Sequence, residues 1–143
     1  RSSNQRLSET QAASVILDSA IDSITIRPQE GAFSFEPVKA LVARLPFRIG
    51  GFEHDKPASK SRNNHLHFPC EQAPLLVSKQ HCQIEIIDGG LFVTDLGSRY
   101  GTDVNGIRIG RGKGVYKAPL QMGENTVTLG VSKSEFKILM ICE

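Results

Sequence analysis

Two stretches of this chain mix hydroxyls, cations and turn glycines as an anion site requires. One is Val77-Ser78-Lys79-Gln80-His81. The other begins Asp95-Leu96-Gly97-Ser98-Arg99-Tyr100 and continues Gly101-Thr102-Asp103-Val104-Asn105-Gly106. Neutral donors beside a cation in a concave loop hold phosphate through charge-assisted hydrogen bonds. The plainer reading of Ser78 is a turn residue, because serine readily bonds its neighbouring backbone. Ser78, His81 and Asp95 also supply the residue types of a nucleophilic triad. However, Ser78 and His81 share one short turn that gives the imidazole no good approach to the hydroxyl, and there is no GxSxG elbow. No enzyme is expected. His65-x-His67 with Cys70 offers three zinc-ligand types where a closed structural site wants four, so no metal or cofactor is expected either. Arg108, Arg111, Lys113 and Lys117 fall in a segment with no acid from 104 to 123. They read first as a solvated loop, then as a surface for acidic peptides and last for nucleic acid, and no nucleic-acid partner is expected.

Short strands must position these loops. Ile24 and Ile26 alternate with polar residues until Pro28 stops the run, and Phe33 and Phe35 alternate again. Val38, Leu41, Val42 and Leu45 fit a short helix or a strand equally well. Phe47 and Ile49 flank Arg48, and Gly50-Gly51 is expected to break that strand. Residues 52–69 read as one long polar loop. Cys82, Ile84 and Ile86 alternate, Asp88-Gly89-Gly90 turns the chain, and residues 91–96 return as a hairpin. Residues 97–106 read as a tight region, followed by short strands over 107–109, 125–130 and 135–142. This pattern predicts an all-β antiparallel sandwich over residues 23–143. Residues 1–22 are different. Ser8 with Gln11 suggests a capping box opening a helix that runs to about Asp22, a helical lead-in or linker.

Arg48-Ile49-Gly50, Ser78-x-x-His81 and the run from Asp95 to Gly106, followed by Leu120-x-x-Gly123-Glu124 and Val127-x-Leu129-Gly130, resemble the signature of the forkhead-associated (FHA) domain. Several motifs in one order over 23–143 are far more specific than any single motif. The resemblance implies a β-sandwich of about eleven strands that binds phosphothreonine peptides through loops at one end. It implies an adaptor module of a larger signalling protein and not an enzyme. Carried over by position, Ser78 holds the phosphate, Lys79 touches peptide or phosphate, and Arg99 stands where a short residue contacts phosphate. His81 braces the loops together with Gly50 and Gly101, Thr102 belongs to the turn and binding set, and Asn105-Gly106 form a structural turn. Residues 52–67 and 108–117 would then select the partner sequence.

Two positions depart from the family pattern. Gly51 stands where the family places a phosphate-anchoring arginine. Tyr100 replaces the asparagine that holds the peptide backbone, and either covers the loop base with its ring or offers its hydroxyl to the peptide. Losing one charge-assisted bond costs about 1.5–3 kcal/mol. Gly51→Arg is therefore expected to restore the anchor, with Arg99 and Lys79 compensating in its absence. The alternative is a degenerate FHA domain that binds unphosphorylated protein. Pro46–Gly50, His81-Cys82 and Gly123-Glu124-Asn125 further resemble bacterial FHA modules that follow a cyclic-nucleotide-binding domain, which would make residues 1–22 a trailing linker.

Composition bounds these readings. The 143 residues are 39% hydrophobic and 22% charged with a net charge of +2, which fits one globular domain and is too weak a charge to argue for nucleic acid. No apolar run reaches the length of a membrane span and no signal-peptide pattern opens the chain. Cys70, Cys82 and Cys142 fit neither a CxxC motif nor a disulfide framework. They suggest small buried thiols in a reducing, intracellular and cytoplasmic setting. The opening Arg1 implies a fragment or a processed product.

Overall fold

The computed structural model describes residues 21–71 and 74–143. Period-two alternation produces eleven strands. They are β1 (Ser23–Pro28), β2 (Val38–Leu41), β3 (Phe47–Glu53), β4 (Leu66–Cys70), β5 (Cys82–Ile87) and β6 (Gly90–Asp95), then β7 (Thr102–Val104), β8 (Ile107–Ile109), β9 (Lys117–Pro119), β10 (Gly123–Leu129) and β11 (Lys137–Cys142). One sheet has the order β2-β1-β11-β10-β7-β8 and the other the order β4-β3-β5-β6-β9. The inward residues of both form a single core. Ile24, Ile26, Val127, Leu129, Ile138 and Met140 meet Ile49, Cys82, Ile84, Leu91 and Val93 there, all fully buried. Burying a side chain of this kind stabilises the fold by about 1.5–3 kcal/mol. A charge at Ile84 would separate the sheets.

Several expectations are corrected. Gly50-Gly51 does not break the strand, because β3 runs through both glycines to Glu53. The polar stretch 52–69 is not all loop. Its last residues form β4, which adds in parallel to β3 with Ile49 opposite Leu66 and Glu53 opposite Cys70. Phe68 and Cys70 are buried, and Pro69 is tolerated because β4 is an edge strand. Two short strands, β7 and β9, lie where the turn residues obscured them. Phe33 and Phe35 are not in a strand; their rings pack on Phe68 and Phe136. The ambiguous 38–45 segment is both things in turn, since β2 leads into a 3₁₀ turn at Val42–Arg44. The expected N-terminal helix lies outside the described residues except at its end. There Asp22 is not helical, donating its N–H to the Glu143 carbonyl and accepting from the Val42 N–H.

The sandwich has two poles. At one, Gly123 and Cys142 start and finish the β10–β11 pair, with Ser23 and Glu143 exchanging backbone bonds beside them. Asn105-Gly106 makes the two-residue turn between β7 and β8 at this pole. Both residues have positive φ (51° and 85°), the mirror-image turn that matches strand twist. At the other pole, Gly130 donates its N–H to the Gly101 carbonyl, and the loops after β4, β6 and β8 converge.

Candidate functional site

Ser78 sits in the β4–β5 loop and is fixed through its backbone. Its N–H donates to His81 Nδ1 at 3.0 Å, and its carbonyl accepts the Gly51 N–H at 2.8 Å. The neighbouring Lys79 carbonyl accepts from Asn64 Nδ2 at 2.6 Å. The Ser78 Oγ accepts the Arg99 backbone N–H at 2.9 Å. That contact ties the two candidate loops together and leaves the hydroxyl proton free to point outward. Lys79 and Arg99 are both exposed, so two cations flank a half-buried hydroxyl.

His81 is the strut beneath. With Nδ1 accepting from Ser78, Nε2 carries the proton and donates to the Gly101 carbonyl at 3.0 Å. Burial pushes its pKa down to about 4, against the Gly101 carbonyl and the Asp95 charge, which favour the protonated ring. The ring is neutral at neutral pH and joins the β4–β5 loop to the β6–β7 loop. Asp95 organises the second loop. Its carboxylate accepts the N–H groups of Gly97 and Ser98 at 2.9 and 2.8 Å, the Ser98 hydroxyl at 2.6 Å and the Thr102 hydroxyl at 2.7 Å. Gly110 of the third loop passes so close that a Cβ there would overlap this carboxylate.

These bonds also dispose of triad geometry. Both His81 nitrogens are committed to backbone groups, and Asp95 faces Ser98 and Thr102. The zinc-type residues do not converge. His65 Nδ1 accepts the Arg48 N–H with its ring stacked on Phe47, His67 Nε2 meets the Ser61 carbonyl, and Cys70 Sγ points to the Phe68 and Val77 carbonyls. No group of three possible metal ligands is found among the described residues.

The Gly51 position carries a surprise. It lies inside β3, under the Val77–Ser78 segment, and a Cβ there would sit on the Val77 carbonyl oxygen. Gly50 is equally confined by the Lys79 carbonyl and Asn64 Nδ2. The expectation that Gly51→Arg restores an anchor is therefore corrected, because the site has closed over that position. Arg48 does not stand in either, since its Nε donates to Gln83 Oε1 across the strand pair at 3.2 Å.

Tyr100 uses its ring. The guanidinium carbons of Arg99 and Arg111 each lie 5.6 Å from the ring centroid, within cation–π range. Arg108 Nη2 donates to the Gly130 carbonyl at 2.6 Å and to the Tyr100 carbonyl at 3.3 Å. Among the described residues the one ion pair is Lys56 with Glu53, so none of these arginines has a carboxylate partner.

The structure thus brings Ser78, Lys79, Arg99 and Tyr100 to one rim, with Gly50, His81 and Gly101 buried beneath; Thr102, expected in the binding set, is corrected to a supporting residue, because it is fully buried with its hydroxyl on Asp95. It puts Asn105 and Gly106 at the far end of β7. There Asn105 Nδ2 donates to Asn125 Oδ1 and its Oδ1 accepts the Thr126 N–H. Three supporting residues escaped the sequence reading. Asp95 as an organiser was legible from Asp preceding Gly-Ser, an Asx-turn signal. Asn64 and Arg108 had none, because their partners are carbonyls remote in sequence.

An FHA domain model matches residues 60–130. No curated protein matches the chain. Among solved structures, the FHA domain of CT664 protein from Chlamydia trachomatis is 19% identical with a TM-score of 0.56, covering 85% of this chain and 98% of that one. The kinase-interacting FHA domain of kinase associated protein phosphatase from Arabidopsis is 18% identical with a TM-score of 0.59, covering 85% and 93%. A structure described as a structural and functional analysis of phosphothreonine-dependent FHA domain interactions is 20% identical with a TM-score of 0.54, covering 85% and 97%.

Proposed function

The chain belongs to the FHA-domain family, and from that premise we propose that it is a phosphothreonine-peptide-binding adaptor module of a larger signalling protein. One observation carries the reading. The Ser78 hydroxyl is oriented by the Arg99 N–H at an open rim, between two exposed cations that have no carboxylate partner among the described residues. Ser78 Oγ–H, the Lys79 ammonium and the Arg99 guanidinium hold the phosphate. Thr102 fixes the loop through Asp95, and the Tyr100 ring lies along the peptide path. The module binds and does not catalyse. Two related structures, one described as phosphothreonine-dependent and one as kinase-interacting, support this direction.

Calorimetric titration with phosphothreonine peptides and their unmodified counterparts is the test. Ser78→Ala is expected to weaken phosphopeptide binding by roughly ten- to a hundredfold. Equal affinity for the two forms would replace this reading with a phosphate-independent interaction module. We also place residues 1–22 as the linker from an upstream cyclic-nucleotide-binding domain, on the resemblance of Pro46–Gly50, His81-Cys82 and 123–125 to such modules. A coding sequence without that domain upstream of residue 1 would refute it. Buried free thiols favour a cytoplasmic location, and cell fractionation tests that. No helix among the described residues is long and apolar enough to cross a membrane.

A further inference from the structure

We infer that the cavity beside Tyr100 is a second anion site, which takes a second phosphate on the same peptide whose phosphothreonine occupies Ser78. The inference rests on the phosphopeptide reading above and adds a ligand class to it. The cavity, about 380 Å³, is lined by Tyr100, Arg108, Gly110, Arg111 and Lys113, three cations and no acid.

Arg108 is the strongest reason. Its Nη2 is satisfied by two carbonyls, but its Nη1, shielded from solvent, has no partner among the described residues. A guanidinium keeps its charge, and this half-buried one has no carboxylate partner among the described residues. The nearby acids are already committed. Asp103, opposite Arg108 in the β7–β8 register, turns Oδ1 to the Gly106 N–H, and Asp95 on the far side of Gly110 takes four other donors. An anion in the cavity supplies the missing charge.

Arg111 gives a second, independent reason. It holds φ at 46°, a conformation uncommon for a residue with a side chain, between Gly110 and Gly112. The loop presents its guanidinium over the Tyr100 ring, which Arg99 also approaches. One aromatic ring therefore links the cation beside Ser78 to the cations of the cavity. Guanidinium forks suit a tetrahedral phosphate, which offers three oxygens against the two of a carboxylate.

Calorimetry on the full chain tests this with a peptide series. A phosphoserine is walked along the positions flanking the phosphothreonine, with glutamate at the same positions as a parallel arm. At one spacing the second phosphate is expected to tighten binding by about ten- to a hundredfold, with glutamate gaining much less. Arg111→Gln should remove that gain and leave the singly phosphorylated peptide unchanged. A gain equal at every spacing, a gain that survives Arg111→Gln, or no gain overturns the inference while the first site stands. If the singly phosphorylated peptide fails to bind, the first reading falls, and inorganic phosphate then decides this one by NMR. Saturable shifts of the Arg108 and Arg111 side-chain resonances, lost in Arg111→Gln, uphold it; their lack overturns it.

Discussion

Gly51→Ala separates two accounts of the missing arginine. If glycine there were merely a lost anchor, adding a Cβ would restrict the unfolded chain and stabilise the fold by about 0.4–1 kcal/mol. In the structure the Cβ meets the Val77 carbonyl, and Val77 C and Cβ stand only 2.9 and 3.0 Å from it. The Val77–Ser78 segment must retreat by about 1 Å, and tight interiors resist such shifts at about 1–3 kcal/mol. The segment is pinned by the Ser78 carbonyl to the Gly51 N–H and by the Lys79 carbonyl to Asn64, so the steric term wins. A net loss of about 1–2 kcal/mol follows, roughly 3–8 °C in Tm for a domain of this size. Urea unfolding at unchanged slope measures it. Because Ser78 rides on the displaced segment, phosphopeptide affinity should fall as well, and Gly51→Arg should do worse on both counts. A rise in the urea midpoint for Gly51→Ala, or tighter binding by Gly51→Arg, would refute the reasoning.

Arg99→Ala should weaken binding of a singly phosphorylated peptide by about 1.5–3 kcal/mol, and Arg99→Lys should recover only part, because a point charge replaces a fork; calorimetry measures both. His81 has its folded pKa depressed to about 4 from 6.5. Its contribution is thus complete above about pH 6.5 and lost as pH falls toward 4, a linkage of about 3 kcal/mol that urea midpoints across this window should show and His81→Gln should flatten. Asp95→Asn leaves a carboxamide facing four donors and should cost about 1.5–3 kcal/mol in urea unfolding. Burial pushes all three thiols up, Cys142 to about 11, so the native protein should resist a thiol reagent near pH 8 that labels the unfolded chain at all three cysteines.

The sandwich was legible because alternation at Ile24–Ile26, Cys82–Ile84 and Ile138–Met140 reports one buried face directly. β4 was hidden because His65, His67 and Pro69 make an edge strand look like loop. Gly50-Gly51 misled for a related reason. A glycine pair signals a turn locally, whereas here it makes room for a segment nearly thirty residues away, which only the fold reveals. At the rim, Ser78, Lys79 and Arg99 were legible by residue type and order. Asn105 sets a turn at the opposite pole, as its exchange with Thr126 shows. The part played by Arg108 depends on carbonyls of Tyr100 and Gly130 that no local pattern links to it.

The pairing of Ser23 with Glu143 bears on how such a module is wired. Ser23 and Glu143 sit at one pole, and the converging loops occupy the other, with the seven residues of β10 between them, about 23 Å of strand. A peptide docked at the loops lies across the sandwich from Ser23 and Glu143. The unit can then work like a plug on a cable, with the captured partner on one side and the Ser23–Glu143 pairing on the other. The length and stiffness of the tether set the local concentration of the captured partner without altering the grip itself.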